Sequence, residues 1–70
     1  MERRKVNSNK IRSVGYDERA RILEVEHNDG SIFQYSGVSH EVYRRMMAAP
    51  TIASFYQDRV EEDFSRKRVR

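Results

Sequence analysis

Hydrophobic and polar side chains alternate on both sides of an Asn-Asp-Gly sequence, and this pattern predicts a β-hairpin. Leu23 and Val25 share one side of the chain, and Phe33 and Tyr35 share a side after the turn. A period of two is typical of half-buried strands. The turn residues tolerate the positive φ angles that tight hairpins require.

A further strand is predicted before this hairpin. Residues 11–16 alternate in a similar way, although Gly15 interrupts the pattern, and a strand glycine often marks a bulge. A polar turn follows at residues 17–20 and brings the next strand, residues 21–26, to hairpin distance. Three consecutive short strands indicate an antiparallel meander.

The period changes after the hairpin, and two helices are predicted. Ser39 is placed to cap the first helix, and Pro50 ends it. The second helix begins near Thr51 and continues for roughly four turns to Phe64. One side of each helix is apolar, with Val42, Tyr43, Met46 and Met47 in the first and Ile52, Phe55, Tyr56, Val60 and Phe64 in the second.

An apolar helix stripe and an apolar sheet face each need a partner, and packing both helices on one face of the sheet covers them all. The predicted fold is therefore α+β, a three-stranded antiparallel meander with two C-terminal helices packed on one face, in the order βββαα. Phe33 and Tyr35 then lie in the core; the alternative is that they form a stacking platform for nucleobases. Glu24 and Glu26 lie on the opposite, wetter face, where they would repel phosphate.

The composition limits the chain to one small domain. It has 70 residues and no cysteine, so neither a disulfide framework nor a Cys-based zinc site supports its core. No apolar run approaches the roughly 20 residues needed to cross a bilayer. We expect a soluble, cytoplasmic protein without membrane contact, present as a monomer or weak dimer.

Positive charge is concentrated at the two ends of the chain. The net charge is +3, made up of +4 in residues 1–12, −5 in residues 13–63 and +4 in residues 64–70. This distribution predicts a flexible basic N-terminal arm at residues 1–9, a folded domain at residues 10–65 and a basic C-terminal tail at residues 66–70. Such arms attract phosphate, although basic ends also keep a small protein in solution.

Basic residues are the candidates for nucleic-acid contacts, and the run from Arg66 to Arg68 is the sharpest signal. Arg44 and Arg45, on the outer side of the first helix, either extend this surface or pair with neighbouring acids as a solvated helix face. The full set of candidates is Arg3, Arg4, Lys5, Lys10, Arg12, Arg44, Arg45, Arg66, Lys67 and Arg68.

A succession of short segments resembles the KTSC domain, a bacterial and phage module that also occurs at the C-terminus of some lysyl-tRNA synthetases. The resemblance runs from about Val6 to Phe64, and the order and spacing of its parts carry it. The parts are Ser13-Val14-Gly15-Tyr16-Asp17, Leu23-Glu24-Val25, Gly30, the aromatic pair Phe33 and Tyr35, Gly37-Val38 and Val42-Tyr43.

Three positions depart from the pattern of that family. The pair at 33 and 35 is Phe-x-Tyr where Tyr-x-Tyr is commoner, and Ala53 and Gln57 stand where the family has Gly and Asn. Ala53 favours the helix, while Gln57 weakens any role assigned to an amide there. The resemblance implies the fold, and it implies RNA binding, which has been suggested for the family largely from the synthetase context.

Residue types for catalysis or metal binding do not occur in a recognisable arrangement. His27 and His40 are the only histidines, and their spacing fits no metal motif. The serines lack a Gly-x-Ser-x-Gly context. We therefore predict no enzyme, no catalytic residues, no metal site and no cofactor.

Two functions follow from the charge pattern and the resemblance. The first is a small non-catalytic module that binds RNA or DNA through its basic arms. The second is a protein-protein interaction module, of bacterial or phage origin, that uses the sheet edge or the outer sheet face.

Overall fold

Five antiparallel strands form one sheet in the computed structural model, which describes residues 3–70. Each strand pairs with its neighbours in the sequence, so the order across the sheet is β1-β2-β3-β4-β5. The strands are β1 Arg3–Lys5, β2 Ile11–Asp17, β3 Ile22–His27, β4 Ile32–Ser36 and β5 Arg66–Arg68.

The prediction of an α+β domain with an antiparallel meander and two helices is confirmed, but the number of strands was wrong. β1 and β5 add an edge on each side of the predicted three-stranded meander. They come from segments assigned to the arm and the tail; residues 1 and 2 of that arm lie outside the described residues. Backbone pairing, rather than apolar burial, holds such edge strands, so the hydrophobic pattern does not reveal them.

The helices lie between β4 and β5 in the sequence. α1 is His40–Ala48, and Ser39 caps it by accepting a hydrogen bond from the backbone N–H of Val42 at 3.3 Å. α2 is Ile52–Phe55 and is continued directly by a π-helical segment, Tyr56–Val60. No helix among residues 3–70 is long and apolar enough to cross a membrane.

The second helix is shorter than predicted. Its helical turns end at Val60, and residues 61–63 form a turn that leads back to the sheet. Phe64 packs against the core, and the N–H of Ser36 donates to the carbonyl of Ser65 at 3.0 Å. The chain therefore leaves the helix before Phe64 and returns to the sheet, where β5 pairs with β4.

Local turn chemistry sets the hairpins. In the β3–β4 turn, the Asp29 carboxylate accepts hydrogen bonds from the N–H and the hydroxyl of Ser31, at 2.9 and 2.7 Å, and Gly30 has a φ of +92°. The bulge expected at Gly15 lies nearer the start of β2 instead, between Ile11 and Ser13.

One hydrophobic core lies between the sheet and the helices. Tyr35 is fully buried, as predicted, whereas Phe33 is only half-buried beside it. Tyr16 stacks on Tyr43 of α1, with ring centroids 4.9 Å apart. The buried members of the core are Ile11, Val14, Leu23, Val25, Tyr35, Val38, Met46, Tyr56 and Val60.

Candidate nucleic-acid interface

The strand register arranges charged side chains in rows across the face of the sheet that the helices leave uncovered. Residues that pair directly across antiparallel strands point to the same face. One row runs from Arg3 through Gly15, Glu24 and Gln34 to Lys67. The two edge strands therefore bring basic side chains to both ends of a row that has a carboxylate in its middle.

The glutamate of this row is paired with its neighbours. An Nη1–H of Arg3 donates to Oε2 of Glu24 at 2.6 Å, and the Nε2 amide of Gln34 donates to Oε1 at 2.9 Å. Gly15 stands between Arg3 and Glu24 in the row and has no side chain. The ion pair between Arg3 and Glu24 therefore crosses β2 at Gly15, the one residue of the row that has no side chain.

The next row runs from Lys5 through Ser13 to Glu26. The Ser13 hydroxyl donates to Oε1 of Glu26 at 2.8 Å. Two guanidiniums approach Oε2 of the same carboxylate, from Arg70 at 3.5 Å and from Arg12 at 3.8 Å. Both carboxylates of the face are thus surrounded by donors.

These contacts keep the two carboxyl groups ionised. Burial alone would raise the pKa of Glu24, but the hydrogen bonds from Gln34 and Arg3 outweigh it and hold the pKa below its usual value. The Ser13 hydrogen bond lowers the pKa of Glu26, against a smaller effect of burial. Each glutamate is only 8% exposed, so the surface that solvent meets is that of the surrounding cations.

We call this surface the outer basic face. Five cations surround two carboxylates, which leaves an excess of positive charge; Asp17, at the far end of β2, is engaged with the turn through the N–H groups of Arg19 and Ala20. The outer basic face consists of Arg3, Lys5, Arg12, Lys67 and Arg70 around Glu24 and Glu26.

Three further candidates lie on the helix side of the edge strands. Arg4 pairs with Val14 at the β1 edge. At the β5 edge, the guanidinium carbons of Arg66 and Arg68 lie 4.9 and 5.9 Å from the centroid of the Phe33 ring. Phe33 is therefore partly covered by cations and not only by the core.

A chain of hydrogen bonds lies behind Phe33. The buried hydroxyls of Tyr35 and Tyr56 are bonded to each other, and Nε2 of His27 lies 3.1 Å from the Tyr56 hydroxyl. Burial, and after it the hydrogen bond with Tyr35, raise the pKa of Tyr56 above its ordinary value of 10.0. The His27 ring meets Phe33 edge-on, with centroids 5.4 Å apart and an interplanar angle of 84°.

The remaining candidates do not join these groups. Arg44 and Arg45 are exposed on α1, and Arg45 pairs with Glu41 at 2.7 Å, one helical turn away. Lys10 lines a groove of about 510 Å³ between the β1–β2 loop and the junction of α1 with α2. Among the described residues that line the groove, Lys10 alone carries a charge.

Sequence reasoning missed Arg70 as a member of the site. Its guanidinium approaches Glu26, and its carbonyl accepts a hydrogen bond from the N–H of Ile32 at 3.0 Å. The positive charge of the C-terminal end was the available signal in the sequence. The pairing of Arg70 with Glu26 becomes apparent only from the β4–β5 register.

Neither histidine lies in a cluster of metal-binding side chains. His40, at the start of α1, has the rings of Tyr16 and Tyr43 about 6 Å away, at 5.9 and 6.2 Å between centroids. Within residues 3–70, no group of three His, Asp or Glu side chains comes together in a way that would hold a metal ion.

Comparison with known proteins places the chain in a family. Its most similar curated relatives include a protein of Stutzerimonas stutzeri strain A1501, described as uncharacterized, which is 34% identical over 56 residues, covering 80% of this chain and 79% of the relative. The crystal structure of a KTSC domain protein from Yersinia pestis superposes with a TM-score of 0.93 at 28% identity, covering 99% of this chain and 97% of that one. A model of the KTSC domain matches residues 7–64. The chain therefore belongs to the KTSC domain family.

Proposed function

We propose that this KTSC domain is a non-catalytic nucleic-acid-binding module, with RNA as its expected partner, and that it takes phosphate groups on the outer basic face. The observation that carries the proposal is the position of the cations. Arg3 and Lys5 on β1, and Lys67 on β5, stand at the two edges of one uncovered sheet face. Five strands at about 4.8 Å spacing put these edges about 19 Å apart.

Because Glu24 and Glu26 are paired, they do not prevent the outer basic face from attracting phosphate. Unpaired carboxylates at Glu24 and Glu26 would repel phosphate, but each accepts hydrogen bonds from neighbouring donors and is nearly buried. The edge cations remain exposed. Exposed cations fixed on a sheet lose less conformational freedom when they bind phosphate than cations on a mobile tail do.

The other candidate function is protein binding along a sheet edge, and the composition of the two edge strands makes it less favoured. β1 and β5 have three residues each, and every one of them is basic. Short, charged edge strands oppose pairing with a strand of another protein. Protein binding on the outer face instead remains an outcome that the experiment below distinguishes.

The test is the salt dependence of binding to a single-stranded RNA, a duplex RNA and a duplex DNA, measured by fluorescence anisotropy. The double variant Lys5→Gln/Lys67→Gln removes two cations of the outer basic face. It should reduce the slope of log K against log salt by about 1.4 for a single strand, because each lost phosphate contact contributes about 0.7.

A matched control removes the same charge elsewhere. The double variant Arg19→Gln/Arg59→Gln changes exposed cations of the β2–β3 turn and the π-helical segment, and it should keep the wild-type slope. An equal loss of slope in both variants would show that only net charge matters. A salt-insensitive, nuclease-resistant protein partner, without nucleic-acid binding, would favour the protein-interaction function.

A further inference from the structure

We propose that the layer formed by Phe33, Arg66 and Arg68, named here the β5 stack, is a binding site for one unpaired nucleobase. This inference rests on the proposed function and names a contact that the outer basic face does not supply. Phosphate contacts give no preference for single strands, whereas a stacking site does.

The geometry provides a planar surface next to an aromatic ring. Guanidinium carbons at 4.9 and 5.9 Å from the Phe33 centroid lie within the range of cation–π attraction, about 6 Å. Arg66 and Arg68 are exposed, while Phe33 is half-buried. Bases in single-stranded RNA stack both on aromatic rings and on guanidinium planes.

The layer is held in place from behind. The edge-on His27 ring contacts Phe33, and His27 is itself fixed by its contact with the Tyr56 hydroxyl, which is bonded to the buried Tyr35. Glu61 approaches the guanidinium of Arg66 at 3.7 Å. A ring and a guanidinium with fixed neighbours have less freedom to lose when a base stacks on them.

The β5 stack combines charged groups with its aromatic ring. The carboxylate of Glu61 lies beside Arg66, and the charge of Arg68 helps to lower the pKa of Asp29. Lys67 lies between the two arginines in the sequence and points to the outer basic face, since β5 alternates its side chains. A strand that passes over the β5 edge therefore meets a phosphate-binding cation on one side and the stack on the other.

The experiment uses the full chain and a short single-stranded RNA that contains 2-aminopurine, whose fluorescence is quenched by stacking. Phe33→Leu should weaken binding roughly 5- to 150-fold, the range expected for one base–aromatic stack, and abolish the quenching. The salt slope should not change, because no phosphate contact is removed. Phe55→Leu makes the same change at a half-buried phenylalanine of α2 and should leave affinity and quenching at wild-type values.

A second variant keeps the inference testable if Phe33→Leu does not fold. Arg68→Lys preserves the charge of an exposed residue but removes the guanidinium plane; it should lose quenching and keep the salt slope. Wild-type affinity and quenching in Arg68→Lys, or in a folded Phe33→Leu, would overturn the stack while leaving the proposed function intact. Absence of any salt-dependent binding by the wild-type chain would overturn both.

Discussion

Glu24 and Glu26 determine the character of the outer basic face at the scale of single residues. Their carboxylates occupy the middle of the sheet, surrounded by cations, the Ser13 hydroxyl and the Gln34 amide. Removing one partner of a nearly buried charge costs more than the pair itself contributes, because the remaining charge is left without compensation. The two acids therefore order the cations around them as well as reducing the net charge.

This arrangement predicts a loss of stability in acid. The pKa of Glu24 lies below its ordinary value of 4.5 in the folded protein. A depressed pKa contributes stability that is fully present above the ordinary value and is lost as the pH falls through the folded value. When the pH is lowered below about 4.5, the urea concentration at the unfolding midpoint of the wild-type chain should therefore decrease. The difference in midpoint between wild type and Glu24→Gln should shrink over the same pH range.

A control glutamate separates this effect from general acid unfolding. Glu62 is exposed in the turn that follows the π-helical segment, so Glu62→Gln should follow the wild-type curve between pH 7 and pH 3. If the difference between wild type and Glu24→Gln stayed constant across that range, the ionised form of Glu24 would not be the source of the added stability.

Edge strands formed by charged residues are the main finding at the scale of elements. Each strand gains backbone hydrogen bonds from one neighbour only. Arg3 pairs with Glu24 on the outer face, while Arg66 lies against Phe33 and Glu61 on the helix side. No apolar alternation is needed for this, so residues 3–5 and 66–68 look like mobile ends in the sequence. A cation that pairs with a carboxylate two strands away, as Arg3 does with Glu24, leaves no local signal.

Hydrogen exchange measured by NMR tests whether β5 is a strand. The N–H of Val69 donates to the carbonyl of Ile32 at 2.8 Å, and the N–H of Ile32 donates to the carbonyl of Arg70 at 3.0 Å. Both amides should exchange about tenfold or more slowly than in an unfolded chain, because exchange requires the edge to open. The amide of Val6, bonded to the carbonyl of Arg12 at 3.1 Å, tests the β1 side in the same spectrum. Exchange of Val69 at the unfolded rate would mean that the C-terminal end is a mobile tail.

The three central strands and the first helix could be predicted from the sequence, because the period of apolar residues and the chemistry of turns are local features. Tyr35 is in the core as its alternation indicated, and Ser39 caps α1. Phe33 shares that alternation but is only half-buried, and two guanidiniums of β5 cover it, so its role depended on a strand that the pattern did not reveal. The end of the second helix at Val60 likewise depended on the return of the chain to β5.

At the scale of the whole molecule, the two sides of the domain carry different charge. The uncovered side of the sheet has the outer basic face, whereas residues 58–63, in the π-helical segment and the turn after it, contain four acids and one arginine. The domain measures only 28 × 25 × 22 Å, so both regions act on any approaching polyanion. We therefore expect a phosphate chain to approach the sheet side and to avoid these four acids.

The same asymmetry separates the candidate residues into those that act together and those that do not. Apart from Arg4, the cations of β1 and β5 belong to the outer basic face or to the adjoining β5 stack, whereas Arg44 and Arg45 are on α1, with Arg45 held by Glu41. We expect the first group to contact the nucleic acid and the α1 pair to stay in solvent.

The most direct test is a chemical-shift titration of the isotope-labelled full chain with a short single-stranded RNA at low salt, repeated at high salt. The outer basic face predicts that the largest shifts fall on β1, on β5 and on Gln34 between them, and that they shrink at high salt as phosphate contacts are screened. Shifts confined to α1, or to the groove beside Lys10, or the absence of any shift at low salt, would contradict phosphate binding on the outer basic face.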